Sequence, residues 1–189
     1  MREIEVLVRC DDTKQQLIDK MQKYQYISES KVIDVYYYDE MRETLKPDHE
    51  LKINECFRLR DKDGVTSLTY KVDKFDEKGM WIYSDEYETI IANKVEMQKI
   101  IIRLGLKELI QIDNTKIIYE SDQYAIFIED VKVLGLFLEV ELKVDRDEDA
   151  EALKEEIRGF INSLNLTNVR ESNEGKPEMM LKNQQITIK

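Results

Sequence analysis

The sequence predicts an α+β fold in which antiparallel strands dominate and a few helices flank them. Three observations predict it. Most of the 189 residues fall in segments where apolar and polar side chains alternate with period two, the signature of strands. Three segments carry the spacing of an amphipathic helix instead. Lys62-Asp63-Gly64 is a tight-turn signal between two strand-like runs, so those neighbours are antiparallel. No repeat and no linker interrupts the chain, and one domain is expected.

The first strand has Ile4, Val6 and Val8 on one face and Glu3, Glu5, Leu7 and Arg9 on the other, and stops at Asp11-Asp12. Thr13 with Gln16 three residues later is a capping box. Leu17, Ile18, Met21 and Tyr24 then form a stripe, so a helix is expected over about 13–25. Lys31 to Asp39 is β-branched and aromatic, hence strand; Tyr36, Tyr37 and Tyr38 pack on alternating faces, with adenine stacking as their other use. After the Pro47 region, Glu55 to Asp61 and Val65 to Val72 make the hairpin, with Arg58 and Arg60 on one face. A turn at Lys78-Gly79 leads into a strand from Trp81 to Ile91, followed by a helix through Val95, Ile100 and Leu104 that Gly105 closes.

Three strand-like runs come next: Leu109 to Tyr119 with a break expected near Asp113-Asn114, Tyr124 to Val131, and Leu136 to Val144. A helix is expected from Asp147 to Leu164, carried by Leu153, Ile157, Phe160 and Ile161. The acidic run Asp145 to Glu151 suits the start of that helix and lacks the glycine and ligand spacing of a calcium loop. Beyond Asn173 the chain is polar apart from a short element at Pro177 to Leu181. Met179 and Met180 there pack either over an internal opening or on the outside.

Charge and composition exclude several function classes. With 29 Lys plus Arg against 40 Asp plus Glu, the net charge of −11 argues against nucleic acid as a partner. No segment approaches the roughly 20 apolar residues of a membrane span, and no apolar signal segment is read, so a cytoplasmic location is expected. A single histidine, His49, leaves no histidine-based metal cluster or hydrolase triad. Cys10 and Cys56 are expected to be reduced strand residues. The chemistry must therefore run on carboxylates, lysine and arginine.

Those residues sit in the strands, with both signs represented: Glu3, Glu5, Arg58, Arg60, Lys71, Glu86, Glu88, Lys116, Glu129, Glu139 and Glu141. An antiparallel sheet with one solvated face accounts for such a pattern. That is the commonest state of such patterns, and the alternative is a closed or nearly closed barrel with apolar residues outward and charges inward. Its lumen would have to hold water, ions or a charged ligand, because unpaired buried charge costs several kcal/mol. Cations beside carboxylates suit a polyphosphate with its divalent metal.

The residues carry a resemblance at this point. Glu3-Ile4-Glu5 resembles the opening of the E-x-E-x-K motif of the CYTH superfamily, the triphosphate tunnel proteins that include class IV adenylate cyclases and thiamine triphosphatases. In the family's order follow Ile33 to Asp39, Phe57-Arg58-Leu59-Arg60, Leu68-Thr69-Tyr70-Lys71, Glu86-Tyr87-Glu88, and Ile126 to Glu141 with its glycine turn and acidic strand. The resemblance covers about residues 2–165, leaving a C-terminal tail at about 166–189.

The resemblance implies a single-domain, eight-stranded antiparallel barrel that binds a triphosphate, such as ATP, thiamine triphosphate or inorganic polyphosphate, together with Mg²⁺ or Mn²⁺. Carried over residue by residue, Glu3, Glu5, Glu139 and Glu141 are metal candidates, with Glu129 beside them. Arg58, Arg60, Lys71 and Lys116 are phosphate-binding candidates, and Arg9 joins them from the face of Glu3 and Glu5. A homodimer is compatible with the resemblance. The implied reaction is most like that of a class IV cyclase, ATP to cyclic AMP and pyrophosphate; hydrolysis of a triphosphate is the alternative. The chain departs from the pattern at Leu7, where the motif has lysine, at Ser84-Asp85, which replaces an arginine, and at Asn114, which replaces a basic residue. These losses open a further reading, a tunnel that binds a nucleotide or polyphosphate without turning it over.

Overall fold

The computed structural model describes residues 2–79, 81–143 and 149–184. The expected helix start at Asp147, most of the Asp145 to Glu151 run and the end of the strand expected to reach Val144 lie outside the described residues.

The first segment is strand throughout, parted only at Ile4 into β1 (Arg2–Glu3) and β2 (Glu5–Arg9). The other strands are β3 (Gln25–Tyr38), β4 (Glu55–Lys62), β5 (Val65–Phe75), β6 (Trp81–Ile91), β7 (Lys107–Glu120), β8 (Tyr124–Val131), β9 (Gly135–Leu142) and the two-residue β10 (Arg170–Glu171). All pair antiparallel, in the order β1-β6-β5-β4-β3-β7-β8-β9-β2-β10. Because β1 and β2 are one continuous segment, the order returns to its own beginning. Glu3 pairs with Ser84 of β6, and Glu5 pairs with Glu141 of β9. The sheet thus curls into a barrel whose two ends meet in the first strand. Counting β1 and β2 as one, its walls are the eight expected strands, and β10 is a short addition beside β2.

Helices cover the barrel from outside and at one end. The capping box of α1 (Lys14–Met21) is formed: Thr13 Oγ1 accepts from the Gln16 amide at 3.3 Å, and the Thr13 amide donates to Gln16 Oε1 at 2.8 Å. Leu17 and Met21 of α1 and Leu153, Ile157 and Ile161 of α3 (Ala150–Ser163) bury against Ile4, Val6, Val8, Ile126, Ile128, Leu138 and Val140. Ile101 of α2 (Lys94–Arg103) packs on Val35, Tyr37 and Leu59, the outer face of β3 and β4. The last helix, α4 (Lys176–Asn183), is different. Its Met180 and Leu181 pack with Leu7, Tyr36, Ile53, Ile112 and Phe137, several of which line the interior. The two methionines therefore divide: Met180 is buried within the mouth, and Met179 lies at its edge.

Several boundaries shift for physical reasons. The first helix ends at Met21 rather than near residue 25, and Tyr24 leaves the helix to pack its ring 5.6 Å from that of Phe160. β3 begins at Gln25, well before Lys31, because its polar first half is held by the ladder to β7 rather than by apolar burial. No break occurs at Asp113-Asn114. Both remain in the ladder opposite Ile33 and Val32, with Asp113 3.8 Å from Lys31 and Asn114 turned inward to Glu129. The hairpin between β4 and β5 has Asp63 at φ 50° and Gly64 at φ 86°, the paired positive values that a two-residue turn matched to strand twist requires. Cys10 and Cys56 are both free thiols. No helix among the described residues is long and apolar enough to cross a membrane.

Candidate functional site

Period-two alternation decides which side chains enter the barrel. Alternate residues over part of each strand from β3 to β9, with Glu3, Glu5 and Leu7 of the first strand, line a cavity of about 340 Å³. Its wall carries Asp34 from β3, Arg58 and Arg60 from β4, Lys71 from β5, Glu86 from β6, Asn114 and Lys116 from β7, Glu129 from β8, and Glu139 and Glu141 from β9. The solvated-sheet account is excluded by this placement: Arg58, Lys71 and Lys116 keep side-chain exposures of only 12%, 15% and 11%.

The charges fall into three groups. In the first, Asp34 takes a two-pronged bond from Arg60, Nε to Oδ1 and Nη2 to Oδ2, both at 2.8 Å, and stands 3.9 Å from Arg58 Nη1. Burial works against the Asp34 charge, yet Arg58 and Arg60 outweigh it and hold the carboxyl at about 2. Arg58 is less fully engaged: its Nε is buried and finds no hydrogen-bond acceptor among the described residues.

The second group surrounds Lys71, which pairs with Glu3 and lies 3.6 Å from Glu86 and 3.9 Å from Glu5. Burial opposes ionisation of all three carboxylates. The contact with Lys71 overcomes it for Glu3, whose pKa is lowered, while Glu5 and Glu86 are pushed up. Glu5 faces Glu141 directly across the β2–β9 ladder, a like-charge pair of the kind that destabilises a sheet. Burial, then Glu3 and Glu139, raise Glu141 to about 7.

The third group is a box of two lysines and two glutamates. Lys116 Nζ is 2.6 Å from Glu129 and 3.4 Å from Glu139, and Lys176 Nζ of α4 is 2.7 Å from Glu129 and 2.5 Å from Glu139. Asn114 adds a 2.7 Å bond to Glu129, which is fully buried. Burial would raise the Glu139 pKa, but the lysines hold it far below the usual carboxylate range.

The structure thus brings together Arg58, Arg60, Lys71, Lys116, Glu3, Glu5, Glu129, Glu139 and Glu141. Arg9 does not join them. It lies on the expected face but at the end of β2, with its guanidinium 4.2 Å over the Phe137 ring and 3.7 Å from Met179 Sδ. Alternation gives a residue's side of the wall, not its depth along the barrel.

The positions where a basic residue was missing are all occupied. Leu7 packs with Met180 and Leu181, Asn114 holds Glu129, and Ser84 donates to Asp73 at 2.6 Å while accepting from Trp81 Nε1 at 3.1 Å. Sequence reasoning missed Asp34 and Lys176. Asp34 had a usable signal, an acid inside a β-branched run with the parity of Tyr36. Lys176 had none in the strand pattern, since a helix delivers it.

Among the described residues, no three carboxylate, histidine or cysteine side chains gather closely enough to cage a metal by themselves. The donor chemistry nevertheless fits Mg²⁺ or Mn²⁺. Mg²⁺ is commonly held by one or two carboxylates, with substrate phosphates and water completing its shell, and the opposed pair Glu5 and Glu141 is short of positive charge.

Three comparisons with known proteins bear on this site. A family model for the CYTH domain matches residues 1–175. A protein of Methanocaldococcus jannaschii named "Putative adenylate cyclase MJ0240" is 30% identical over 169 residues, covering 88% of this chain and 91% of that one. Among solved structures, the PH1819 protein from Pyrococcus horikoshii superposes with a TM-score of 0.77 at 24% identity, over 95% of this chain and 98% of the other. A Hippeastrum protein, described as a "putative adenylyl cyclase" that reveals a dominant triphosphatase activity, superposes with a TM-score of 0.63 at 15% identity, over 98% and 97% of the two chains. Both superpositions establish a shared fold.

Proposed function

The chain belongs to the CYTH domain family, and on that premise we propose that it binds a triphosphate inside the barrel and converts it with the help of Mg²⁺ or Mn²⁺, ATP to cyclic AMP and pyrophosphate being the leading reaction. The observation that carries this reading is Arg58. A guanidinium buried in a cavity wall, hydrogen-bonded to Tyr36 and 3.9 Å from Asp34 but with its Nε unsatisfied among the described residues, keeps a donor for an anionic oxygen.

In this reading the wall divides the work. Arg58 and Arg60 on β4 and Lys71 on β5 project from neighbouring strands and hold phosphate oxygens in a fixed orientation, with Asp34 locking the planar Arg60 fork. Lys116 enters from β7, on the far side of β3, and offsets charge developing on the departing phosphates. Glu5 and Glu141, with Glu139 adjoining, would hold the metal, which lends positive charge to the phosphate oxygens. Attack by the ribose 3′-hydroxyl on the α-phosphorus expels pyrophosphate; attack by water on the terminal phosphorus yields orthophosphate.

The cavity supports a second reading, a triphosphate hydrolase. At about 340 Å³ it lies at the small end of ligand sites, and its charges address phosphates, leaving a nucleoside to the mouth. The likeness to the M. jannaschii protein supports the cyclase, and the described activity of the Hippeastrum protein supports the hydrolase. Product analysis by mass spectrometry separates them after incubation with Mg²⁺ or Mn²⁺ and either ATP, GTP, thiamine triphosphate or tripolyphosphate. Cyclic AMP with pyrophosphate is the expected result with ATP. Orthophosphate with the matching diphosphate assigns the hydrolase, and recovery of every substrate intact overturns both.

A further inference from the structure

We propose that Trp81 and Phe75, at the rim of the cavity, form the platform on which the aromatic end of the substrate stacks, a nucleobase or another flat ring joined to the triphosphate. The inference rests on the reading of the barrel as a triphosphate site and adds the part of the ligand that the charged wall leaves unaddressed. Three observations converge on it.

The first is a bulge. Along β6, Ser84 and Glu86 face the cavity, so strict alternation would turn Ile82 inward and Trp81 outward. The register between β5 and β6 slips there. Lys74 pairs with Tyr83 but Phe75 pairs with Trp81, which leaves Ile82 as an extra residue. Ile82 and Tyr83 both pack on the outer core, and Trp81 is returned to the cavity side. Its ladder partner Phe75 lines the same rim and is 38% exposed. Two rings thus face the cavity where alternation would have left one.

The second is fixation. Trp81 Nε1 donates to Ser84 Oγ at 3.1 Å, Lys154 Nζ donates to the Trp81 carbonyl at 2.7 Å, and the same ammonium lies 3.8 Å from the indole centroid. The indole is therefore held at its edge, at its backbone and on one face. A ligand ring can stack on the other face without the cost of ordering a loose side chain.

The third is reach. Glu86 stands beside Lys71 in the charged wall, and Ser84 is the next inward residue, about 7 Å along the strand. The indole bonded to Ser84 thus begins one strand step beyond the groups that address phosphate, a step that a sugar or a comparable linker spans. Over that step the wall changes from charged to aromatic, in the order a triphosphate ester presents its own parts.

Trp81 is the chain's single tryptophan, so its fluorescence reports on this rim directly. With metal withheld to prevent turnover, ATP, thiamine triphosphate and tripolyphosphate are titrated into the full chain and followed by calorimetry and by emission excited at the red edge of the indole band. ATP or thiamine triphosphate is expected to quench Trp81, and tripolyphosphate to leave it nearly unchanged. Trp81→Leu is expected to weaken binding of the quenching ligand by roughly fivefold to a hundredfold, the loss of one stacked ring, and to keep tripolyphosphate within about threefold of the parent. Parent-like affinity of Trp81→Leu for every ligand overturns the inference, as does an equal loss for tripolyphosphate and the ring-bearing ligands. Binding of ATP and thiamine triphosphate with no more change in emission than tripolyphosphate causes overturns it as well, and this measurement on the parent decides alone should Trp81→Leu not fold. A parent chain that binds none of the three, with or without Mg²⁺, would instead sink the triphosphate reading itself, so the two failures are distinguishable.

Discussion

Glu141 offers a direct test of how charge is balanced in the tunnel. Burial and the neighbouring Glu3 and Glu139 carboxylates lift it from an ordinary value of 4.5 to about 7. Between these values the folded protein keeps a proton that the unfolded chain has released. The sign follows from linkage: this group makes stability fall as pH rises from about 4.5 to about 7, and the loss is complete above that window. The shift amounts to a penalty on the order of 3 kcal/mol near pH 7.5 and about 1 kcal/mol near pH 5. Glu141→Gln removes the charge and keeps the shape. Urea unfolding without metal should show the variant about 2–3 kcal/mol more stable than the parent near pH 7.5, with the gain shrinking to about 1 kcal/mol or less near pH 5. Mg²⁺ should raise the melting temperature of the parent at the higher pH and do so much less in the variant, because the carboxylate that attracts the ion is gone. A variant no more stable than the parent at the higher pH would refute the reasoning, for Glu141 would then carry no unbalanced charge.

Asp34→Ala strips the counter-charge from Arg58 and Arg60 inside the wall and should destabilise the fold by about 3 kcal/mol in urea unfolding. With its folded pKa lowered to about 2, Asp34 contributes stability that is fully present above about pH 4 and drains away as pH falls through its folded value, so the variant's deficit should narrow in acid. Thr13→Ala dismantles the capping box of α1 far from the cavity; a loss of about 1 kcal/mol in stability with unchanged tripolyphosphate affinity is expected from parallel unfolding and calorimetry.

Much of the tunnel wall was legible in the sequence because strands impose parity. Once Glu3 and Glu5, Arg58 and Arg60, or Glu139 and Glu141 are placed in strands, their spacing of two puts each pair on one face, and the outward Val6, Leu59 and Val140 confirm which face is which. The limits of β6 and β8 were legible for the same reason, being bounded by turn residues and rich in aromatic or β-branched side chains. Depth along the barrel was not legible, and Arg9 shows why: it has the right parity, yet it lies a full strand length from β1 and meets Phe137 instead of the charged groups. Nor was the role of the C-terminal segment. A polar stretch with two methionines has no preferred docking site until the barrel exists, and only then do Met180 and Leu181 find Leu7 and bring Lys176 inward.

The closure through β1 and β2 has a consequence for how the molecule is made. Glu3 must find Ser84, and Val8 must find Leu138. Hairpins such as β4–β5 or β8–β9 can form as soon as their residues leave the ribosome, since partner and turn are adjacent in the chain. The first strand is made earliest and completed last. Until β9 has been synthesised, Ile4, Val6 and Val8 have no sheet to join and lie open to any other unpaired edge. The cavity that gathers the charges comes into being only when the first strand is inserted between β6 and β9.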